Sequence, residues 1–228
     1  MTLKLTNFDS LSGQLVVSAQ AYPGEPMRDP RTTAQVAASA VIGGAAAIRV
    51  QGIADIQFTR AAVEVPVIGL WKDGHDGVFI TPTLQHALSC ASAGAHIVAI
   101  DGTRRPRPDG LTLAETIAGI HAQSNALVMA DCGSLEDAIA AAEGGADLIG
   151  TTLAGYSGER PKTDGPDLEL IAQIAAAELG KPLIAEGRIH SPAQARQALD
   201  AGAFAVVVGT AITHPATITG WFKDALGA

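Results

Sequence analysis

Charged or polar residues stand at the ends of most of the apolar runs in this sequence. The residues at these positions are Gln20, Arg49, Lys72, Asp101, Asp131, Thr151, Glu186 and the pair Gly209-Thr210. If the runs are parallel strands, their carboxyl ends meet on one face of the fold and these groups form a single site. For any single member, an ion pair at the rim of the fold is the alternative.

Lys72 follows the apolar run VIGLW, so its stem should pack beneath the loops. Burial lowers the pKa of a lysine from its usual value of about 10.4 and makes its amine a usable base. Of the eight apolar runs in the sequence, Lys72 ends the third, Asp131 the fifth and Glu186 the seventh. Because these are all odd-numbered runs, we expect Asp131 and Glu186 to face Lys72. A base and an acid on opposite sides of one carbon are what an epimerisation needs. A Schiff-base lysine and a plain ion pair stay open as alternatives.

Two glycine-containing turns indicate an anion site. Gly187-Arg188 follows the seventh run, and Gly209-Thr210 follows the eighth. Glycine lets backbone N–H groups approach a phosphate, and barrels often use the loops after these two strands for that purpose. Arg188 would add a charge-assisted contact. The alternative is that the glycines only permit tight turns.

Metal and nucleotide chemistry are not expected. No two of the six histidines fall at neighbouring strand ends, whereas a divalent metal needs ligands that converge on one point. Asp101, Asp131 and Glu186 could at most hold a hard cation. The sequence has no GxGxxG fingerprint after a strand, which argues against a dinucleotide, and no GxSxG elbow, which argues against a serine nucleophile.

The composition excludes several classes of protein. The chain has 228 residues, of which 47% are hydrophobic and 17% charged, and this argues against disorder. Its net charge of −8 argues against a nucleic-acid partner. The uncharged stretches 32–48 and 201–222 are interrupted by polar or glycine residues, so no membrane span is expected.

The N-terminal residues, the cysteines and an apolar pair near the C-terminus indicate where the protein is located and how it assembles. The first ten residues, MTLKLTNFDS, lack the apolar core of a signal peptide. Cys90 and Cys132 form no CxxC motif and are typical of buried thiols in a reducing compartment. We therefore expect a cytoplasmic protein. The apolar pair Trp221-Phe222 near the C-terminus predicts a homodimer surface.

A repeat organises the elements that must position the polar groups. Four segments combine an Ala-rich helical run, a Gly-Ala pair and an apolar strand: 42–50, 92–101, 143–151 and 200–210. Four more apolar runs lie at 14–20, 66–72, 126–131 and 182–187. Eight strands, each followed by a helical pattern, predict one (β/α)8 TIM barrel over residues 1–228. An open doubly wound sheet is the alternative.

Several motifs make the sequence similar to a known family. They are LVVSAQAYPGEP (15–26), AAAIRVQG (45–52), VPVIGLWKD (65–73), ITPT (80–83), IVAIDGTRRPRP (97–108), MADCGS (129–134), DLIGTTLAGY (147–156), LIAEGRIHSPAQA (183–195) and VVVGTAIT (206–213). With these motifs the chain resembles the N-acetylmannosamine-6-phosphate 2-epimerases of bacterial sialic acid catabolism. AIDGTRRPRP and IGTTLAGY are the most specific, whereas AEGRI and VGTAIT occur in many phosphate-binding barrels.

The resemblance implies that the TIM barrel is of the ribulose-phosphate-binding type. It also implies an isomerase that inverts C2 of N-acetylmannosamine 6-phosphate to give N-acetylglucosamine 6-phosphate, without a metal or redox cofactor. It implies that Lys72 is the base and Glu186 the acid. It also implies substrate-binding residues, namely Gln20, Arg49 and Asp131 at the sugar, and Gly187, Arg188, Gly209 and Thr210 at the phosphate.

Two positions depart from the family pattern, and two rival functions stay open. Ala19 stands where the family usually has Cys, and Asp73-Gly74 where it has Arg-Asp, which leaves the shape of loop 73–79 open. A pentulose-phosphate epimerase is one rival, although those enzymes commonly use strand-end histidines and a metal. A catalytically silent sugar-phosphate-binding regulator is the other, although it would have no use for a buried Lys72 facing Glu186.

Overall fold

The computed structural model describes residues 9–227, which form a closed barrel of eight parallel strands in chain order. The strands are β1 (Leu15–Ala19), β2 (Ala47–Gln51), β3 (Val67–Leu70), β4 (Ile97–Asp101), β5 (Leu127–Asp131), β6 (Leu148–Gly150), β7 (Leu183–Glu186) and β8 (Ala205–Val208). β8 pairs with β1 and closes the barrel. The predicted (β/α)8 fold is confirmed. Of its predicted extent, residues 1–8 and 228 lie outside the described part of the chain.

Helices follow the strands around the outside. They are α1 (Pro30–Ile42), α2 (Ile53–Ala62), α3 (Leu84–Ser92), α4 (Leu113–Gln123), α5 (Leu135–Glu143), α6 (Leu168–Ala176), α7 (Pro192–Asp200), α8 (Thr210–Thr213) and α9 (Pro215–Ala225). The side chains of Thr83, Ser134 and Ser191 cap α3, α5 and α7 by accepting backbone N–H bonds. α6 is capped by Asp167, whose side chain accepts the Leu170 N–H.

The Gly-Ala pairs end helices, as the repeat predicts. Gly44, Gly94, Gly145 and Gly202 adopt φ of 100, 107, 94 and 106°. This left-handed conformation suits glycine and turns the chain directly from a helix into the next strand. The helix ends therefore fix where each strand begins.

Two apolar layers hold the barrel. One lies between strands and helices and includes Ile48, Ile56, Val98 and Ile149. The other fills the barrel interior with residues such as Val16, Ile68, Ile97, Met129 and Ile184. Within residues 9–227, no helix is long and apolar enough to cross a membrane.

Candidate active site

A cavity of about 470 Å³ opens at the carboxyl ends of the strands. Eight of the nine predicted site residues line it: Gln20, Arg49, Lys72, Glu186, Gly187, Arg188, Gly209 and Thr210. The ninth, Asp131, has no exposed surface and is bonded to Arg49. The fold therefore brings together residues that stand up to 190 positions apart in the chain.

Arg49 lies at the centre of a buried polar group that we call the Arg49 cluster, formed by Arg49, Asp131, Thr152 and Glu186. Its Nη1 and Nη2 donate to Asp131 Oδ1 and Oδ2 at 3.1 and 2.6 Å. Nη1 also lies 3.2 Å from Glu186 Oε2. Thr152 Oγ1 is 2.8 Å from Asp131 Oδ1 and 3.1 Å from Glu186 Oε2.

The prediction that Arg49 ends its strand is wrong by two residues. The ladder between β2 and β3 continues to the pair Gln51–Leu70, so Arg49 lies within β2. Its side chain is only 1% exposed. Because a guanidinium at that depth cannot be fully hydrated, it must be neutralised by a carboxylate inside the barrel.

Lys72 lies two residues beyond the end of β3 rather than on it. An antiparallel bridge to Ile80 holds it there, and the Asp73 N–H donates to the Phe79 carbonyl at 3.0 Å. Loop 73–79 is therefore a short hairpin at the cavity mouth. Burial lowers the pKa of the Lys72 amine and the positive charge of Arg49 lowers it further, whereas Glu186 and Asp131 act in the opposite direction.

The pKa of Glu186 is shifted in the opposite direction, upward. Burial raises the pKa of its carboxyl; Arg49 opposes that shift, and Asp131 adds to it. Thr151 fixes the backbone of Glu186, since its hydroxyl donates to the Glu186 carbonyl at 2.9 Å and accepts from the Glu186 N–H at 3.0 Å. The carboxyl is thus held at the cavity wall, with its side chain 13% exposed.

The two predicted phosphate turns have different geometry. Gly187 and Arg188 both have positive φ, 112 and 54°. Gly209 does not, but a Cβ there would lie 3.3 Å from the Cβ of Ser18, so glycine allows a close approach of β8 to β1. Both turns line the cavity.

The side chain of Arg188 is engaged by the loop between β6 and α6. Its guanidinium donates to the carbonyls of Ala154 at 2.8 Å and Gly165 at 3.1 Å, and to Thr163 Oγ1 at 3.0 Å. It also lies 5.3 Å from the centre of the Tyr156 ring. The side chain thus ties loop 151–167 to the turn after β7.

Three buried polar atoms of cavity-lining residues lack a hydrogen-bond partner among the described residues; one is His214 Nδ1, and the other two belong to Gln20 and Arg49. Gln20 Oε1 and Arg49 Nε make no hydrogen bond, although Gln20 Nε2 donates to Ser18 Oγ at 2.8 Å. Buried polar atoms are normally paired. A ligand that supplies both a donor and an acceptor would pair these two.

The cavity also includes residues that were not predicted from the sequence, among them Ser18, Tyr22, Thr152 and His214. For Thr152 a signal exists, because two consecutive threonines follow β6 and neighbouring residues there point in different directions. His214 is buried between α8 and α9, with Nδ1 3.6 Å from Glu25. Within residues 9–227, no three His, Cys, Asp or Glu side chains group in a way that could hold a metal.

Comparisons with known proteins agree with this geometry. The family model described as "Putative N-acetylmannosamine-6-phosphate epimerase" matches residues 33–228. Two proteins named "Putative N-acetylmannosamine-6-phosphate 2-epimerase" are similar over nearly their whole length. The protein of Cutibacterium acnes is 61% identical over 95% of both chains, and that of Corynebacterium glutamicum is 46% identical over 96% of this chain and 95% of its own.

A solved structure has the same fold. It is described as the N-acetylmannosamine-6-phosphate 2-epimerase from Clostridium perfringens, is 37% identical and superposes with a TM-score of 0.90. The match covers 95% of each chain. The likeness therefore includes the strands and loops that form the cavity.

Proposed function

Because this chain belongs to the N-acetylmannosamine-6-phosphate epimerase family, we propose that it inverts C2 of N-acetylmannosamine 6-phosphate. The product is N-acetylglucosamine 6-phosphate. The observation that carries the proposal is the opposite perturbation of two groups on one cavity, an amine whose pKa is lowered and a carboxyl whose pKa is raised. Those directions favour a free base and a protonated acid together.

Lys72 takes the first proton. In the open-chain sugar, C2 is next to the C1 aldehyde, so its proton is acidified. The neutral Lys72 amine removes this proton as the C2–H bond breaks, and the electron pair moves onto the C1 oxygen as an enolate. Arg49 is the nearby positive charge that stabilises this oxyanion or the N-acetyl carbonyl.

Glu186 completes the inversion. Its carboxyl gives a proton to the opposite face of C2, and a new C2–H bond forms. One proton has then passed from Glu186 to Lys72 by way of the substrate, and exchange with solvent resets both groups. Activity therefore rises with pH as Lys72 loses its proton and falls as Glu186 loses its own.

The remaining site residues bind the substrate. We assign Gln20, Arg49 and Asp131 to the sugar, with Asp131 acting through its bonds to Arg49. The phosphate is bound by the turns at Gly187-Arg188 and Gly209-Thr210 through backbone N–H groups. Unphosphorylated N-acetylmannosamine should therefore be a very poor substrate, because binding energy at the phosphate supports the reaction at C2.

Proton NMR in heavy water tests the proposal. With N-acetylmannosamine 6-phosphate, the C2 proton signal should vanish as the N-acetylglucosamine epimer forms with deuterium at C2. A silent sugar-phosphate binder would leave the C2 proton signal unchanged and form no epimer. A Schiff-base mechanism would instead be trapped by borohydride as a covalent adduct at Lys72.

No metal or cofactor enters the proposed reaction, because Lys72 and Glu186 supply both proton transfers and Arg49 supplies the positive charge. Treatment with EDTA should leave the rate unchanged. Recovery of a lost rate by an added divalent ion would overturn this part of the proposal.

We also propose that residues 1–228 act as one domain in a homodimer in the cytoplasm. Helix α9 contributes no buried residue, and its Phe222 is 70% exposed beside the half-exposed Trp221. Cys90 and Cys132 are buried free thiols, a form that a reducing compartment preserves. Sedimentation of the wild type and of Phe222→Glu tests the dimer, which the charge should dissociate.

A further inference from the structure

The Thr152 hydroxyl lies between the two carboxyl groups of the Arg49 cluster. Its Oγ1 is 2.8 Å from Asp131 Oδ1 and 3.1 Å from Glu186 Oε2. The first distance is typical of an O–H···O hydrogen bond, and the second is that of a long one. A hydroxyl has one proton, so Thr152 donates to only one of these oxygens. The other contact needs a proton from the carboxyl itself.

The geometry favours donation to Asp131. That contact is the shorter one, and Asp131 also accepts from both Nη1 and Nη2 of Arg49. A carboxylate that accepts two guanidinium bonds is the ionised member of the pair. If the Thr152 proton is directed at Asp131, no proton lies between Thr152 Oγ1 and Glu186 Oε2 unless Glu186 itself is protonated.

Glu186 is the group that can supply that proton. The titratable groups that face it are Arg49 from β2, Asp131 from β5 and Lys72 beyond β3. On the adjacent strand β8 and the turn after it, the cavity is lined by Val207, Gly209 and Thr210, which do not titrate in the ordinary pH range. Burial raises the pKa of the Glu186 carboxyl and Asp131 adds to the rise, whereas Arg49, Lys72 and a Thr152 proton directed at Glu186 lower it. The net shift is upward, toward a protonated group.

We propose that Thr152 is a positioning residue that donates to Asp131, accepts from Glu186 and thereby holds Glu186 in its protonated form. Its link to catalysis rests on the proposed function, in which Glu186 is the acid. Once Glu186 has given its proton to C2, the oxygen of Thr152 faces a carboxylate without a proton between them. That arrangement favours the return of a proton to Glu186 before the next turnover.

The direction of a pKa shift distinguishes this arrangement from its reverse. A hydroxyl that donates to Glu186 stabilises the carboxylate and lowers the pKa of that group. A hydroxyl that accepts from Glu186 stabilises the protonated form and raises it. Removal of the hydroxyl therefore lowers the Glu186 pKa in the proposed arrangement and raises it in the reverse one.

The test is a titration of Glu186 in the full-length protein with 13C-labelled glutamate carboxyl groups, followed by NMR. Glu186→Gln assigns the resonance. Thr152→Val, which keeps the shape of the side chain, should lower the Glu186 pKa by about half to one pH unit, as expected for one lost hydrogen bond. Thr152→Ser keeps the hydroxyl and should titrate like the wild type. An unchanged or raised pKa in Thr152→Val overturns the proposal.

Turnover gives the second measurement. The alkaline limb of kcat/KM should move to lower pH in Thr152→Val by the same amount, with kcat/KM at its optimum reduced about tenfold. Thr152→Ser should restore both values. A large rise in KM with an unmoved alkaline limb would make Thr152 a substrate contact and overturn the proposal.

The two measurements also separate this proposal from the proposed function, since the NMR titration needs no substrate. One possible result is that Thr152→Val lowers the Glu186 pKa although the wild type does not exchange the C2 proton. That result would leave the hydrogen-bond arrangement in place. It would remove the link to epimerisation.

Discussion

Two aspartates at the same height in the barrel have different partners. Asp101 and Asp131 are opposite each other in the ladder between β4 and β5, and neither has exposed surface. Asp131 bonds to Arg49 on β2 and to Thr152 beyond β6, so it joins three parts of the barrel. Among the described residues, the side chain of Asp101 bonds within its own loop, to Thr103 Oγ1 at 2.6 Å and to Arg105 Nη2 at 2.7 Å.

The difference shows that a strand-end carboxylate is defined by its partners rather than by its position. Asp131 neutralises a guanidinium at the cavity, whereas Asp101 shapes the loop that follows it. The two arginines also differ in exposure: Arg49 is 1% exposed and Arg105 is 28% exposed. Arg105 can turn to water if the carboxylate of Asp101 is lost, whereas Arg49 cannot do so if the carboxylate of Asp131 is lost.

The largest effect on activity is expected at Lys72, on the cavity side of this comparison. Lys72→Met keeps much of the stem packing but cannot accept a proton. Turnover should fall by at least about 10²–10⁴, as is typical for the loss of a general base, with thermal unfolding unchanged. Exchange of the C2 proton in heavy water, followed by NMR, should fall with it.

Two other outcomes at Lys72 are informative. If exchange survives while net epimerisation is lost, Lys72 is the acid of the return step and the base lies elsewhere. If both survive near the wild-type rate, Lys72 is a rim ion pair and the mechanism is wrong.

Asp131→Asn should give the largest loss of stability. The change leaves the buried guanidinium of Arg49 with Glu186 as its remaining carboxyl partner among the described residues. Breaking a buried pair typically costs about 3–5 kcal/mol of unfolding free energy. Urea denaturation measures that loss, and turnover should fall as well because Arg49 is no longer held in place. A loss below about 1 kcal/mol would mean that Arg49 finds another partner.

Asp101→Asn is the matched variant on the loop side. It weakens the bonds to Thr103 and Arg105, worth about 1–3 kcal/mol. Because Arg105 can turn to water and the cavity does not include Asp101, kcat should stay within about threefold of the wild type. A loss of activity as large as that of Asp131→Asn would remove the distinction between the two aspartates.

The sequence was sufficient for the barrel because its signals are local. Gly44, Gly94, Gly145 and Gly202 end helices, and Ser134 and Ser191 begin them, so each unit can be recognised within a short window. The polar residues at strand ends then follow from one rule of the fold, that parallel strands expose their carboxyl ends on the same face.

The contacts inside the site were not predictable because they join distant segments. Arg49 and Asp131 are 82 residues apart, and nothing near either residue indicates the pair. The depth of Arg49 depends on where the ladder with β3 stops, and the partners of Thr152 depend on barrel closure. Arg188 illustrates the same limit, since its three side-chain bonds all go to a loop more than 20 residues earlier.

Substitution of Arg188 should act on substrate binding through the loop rather than through charge at the phosphate. Arg188→Gln removes the fork that reaches Ala154, Thr163 and Gly165, so amide hydrogen exchange over 151–167 should accelerate. We expect KM to rise about tenfold with kcat nearly unchanged, which corresponds to about 1.4 kcal/mol of binding. Arg188→Lys keeps the charge but lacks the fork, so it should behave like Arg188→Gln. Recovery of the wild-type KM in Arg188→Lys, with loop exchange still fast, would instead assign Arg188 a direct charge contact to the phosphate.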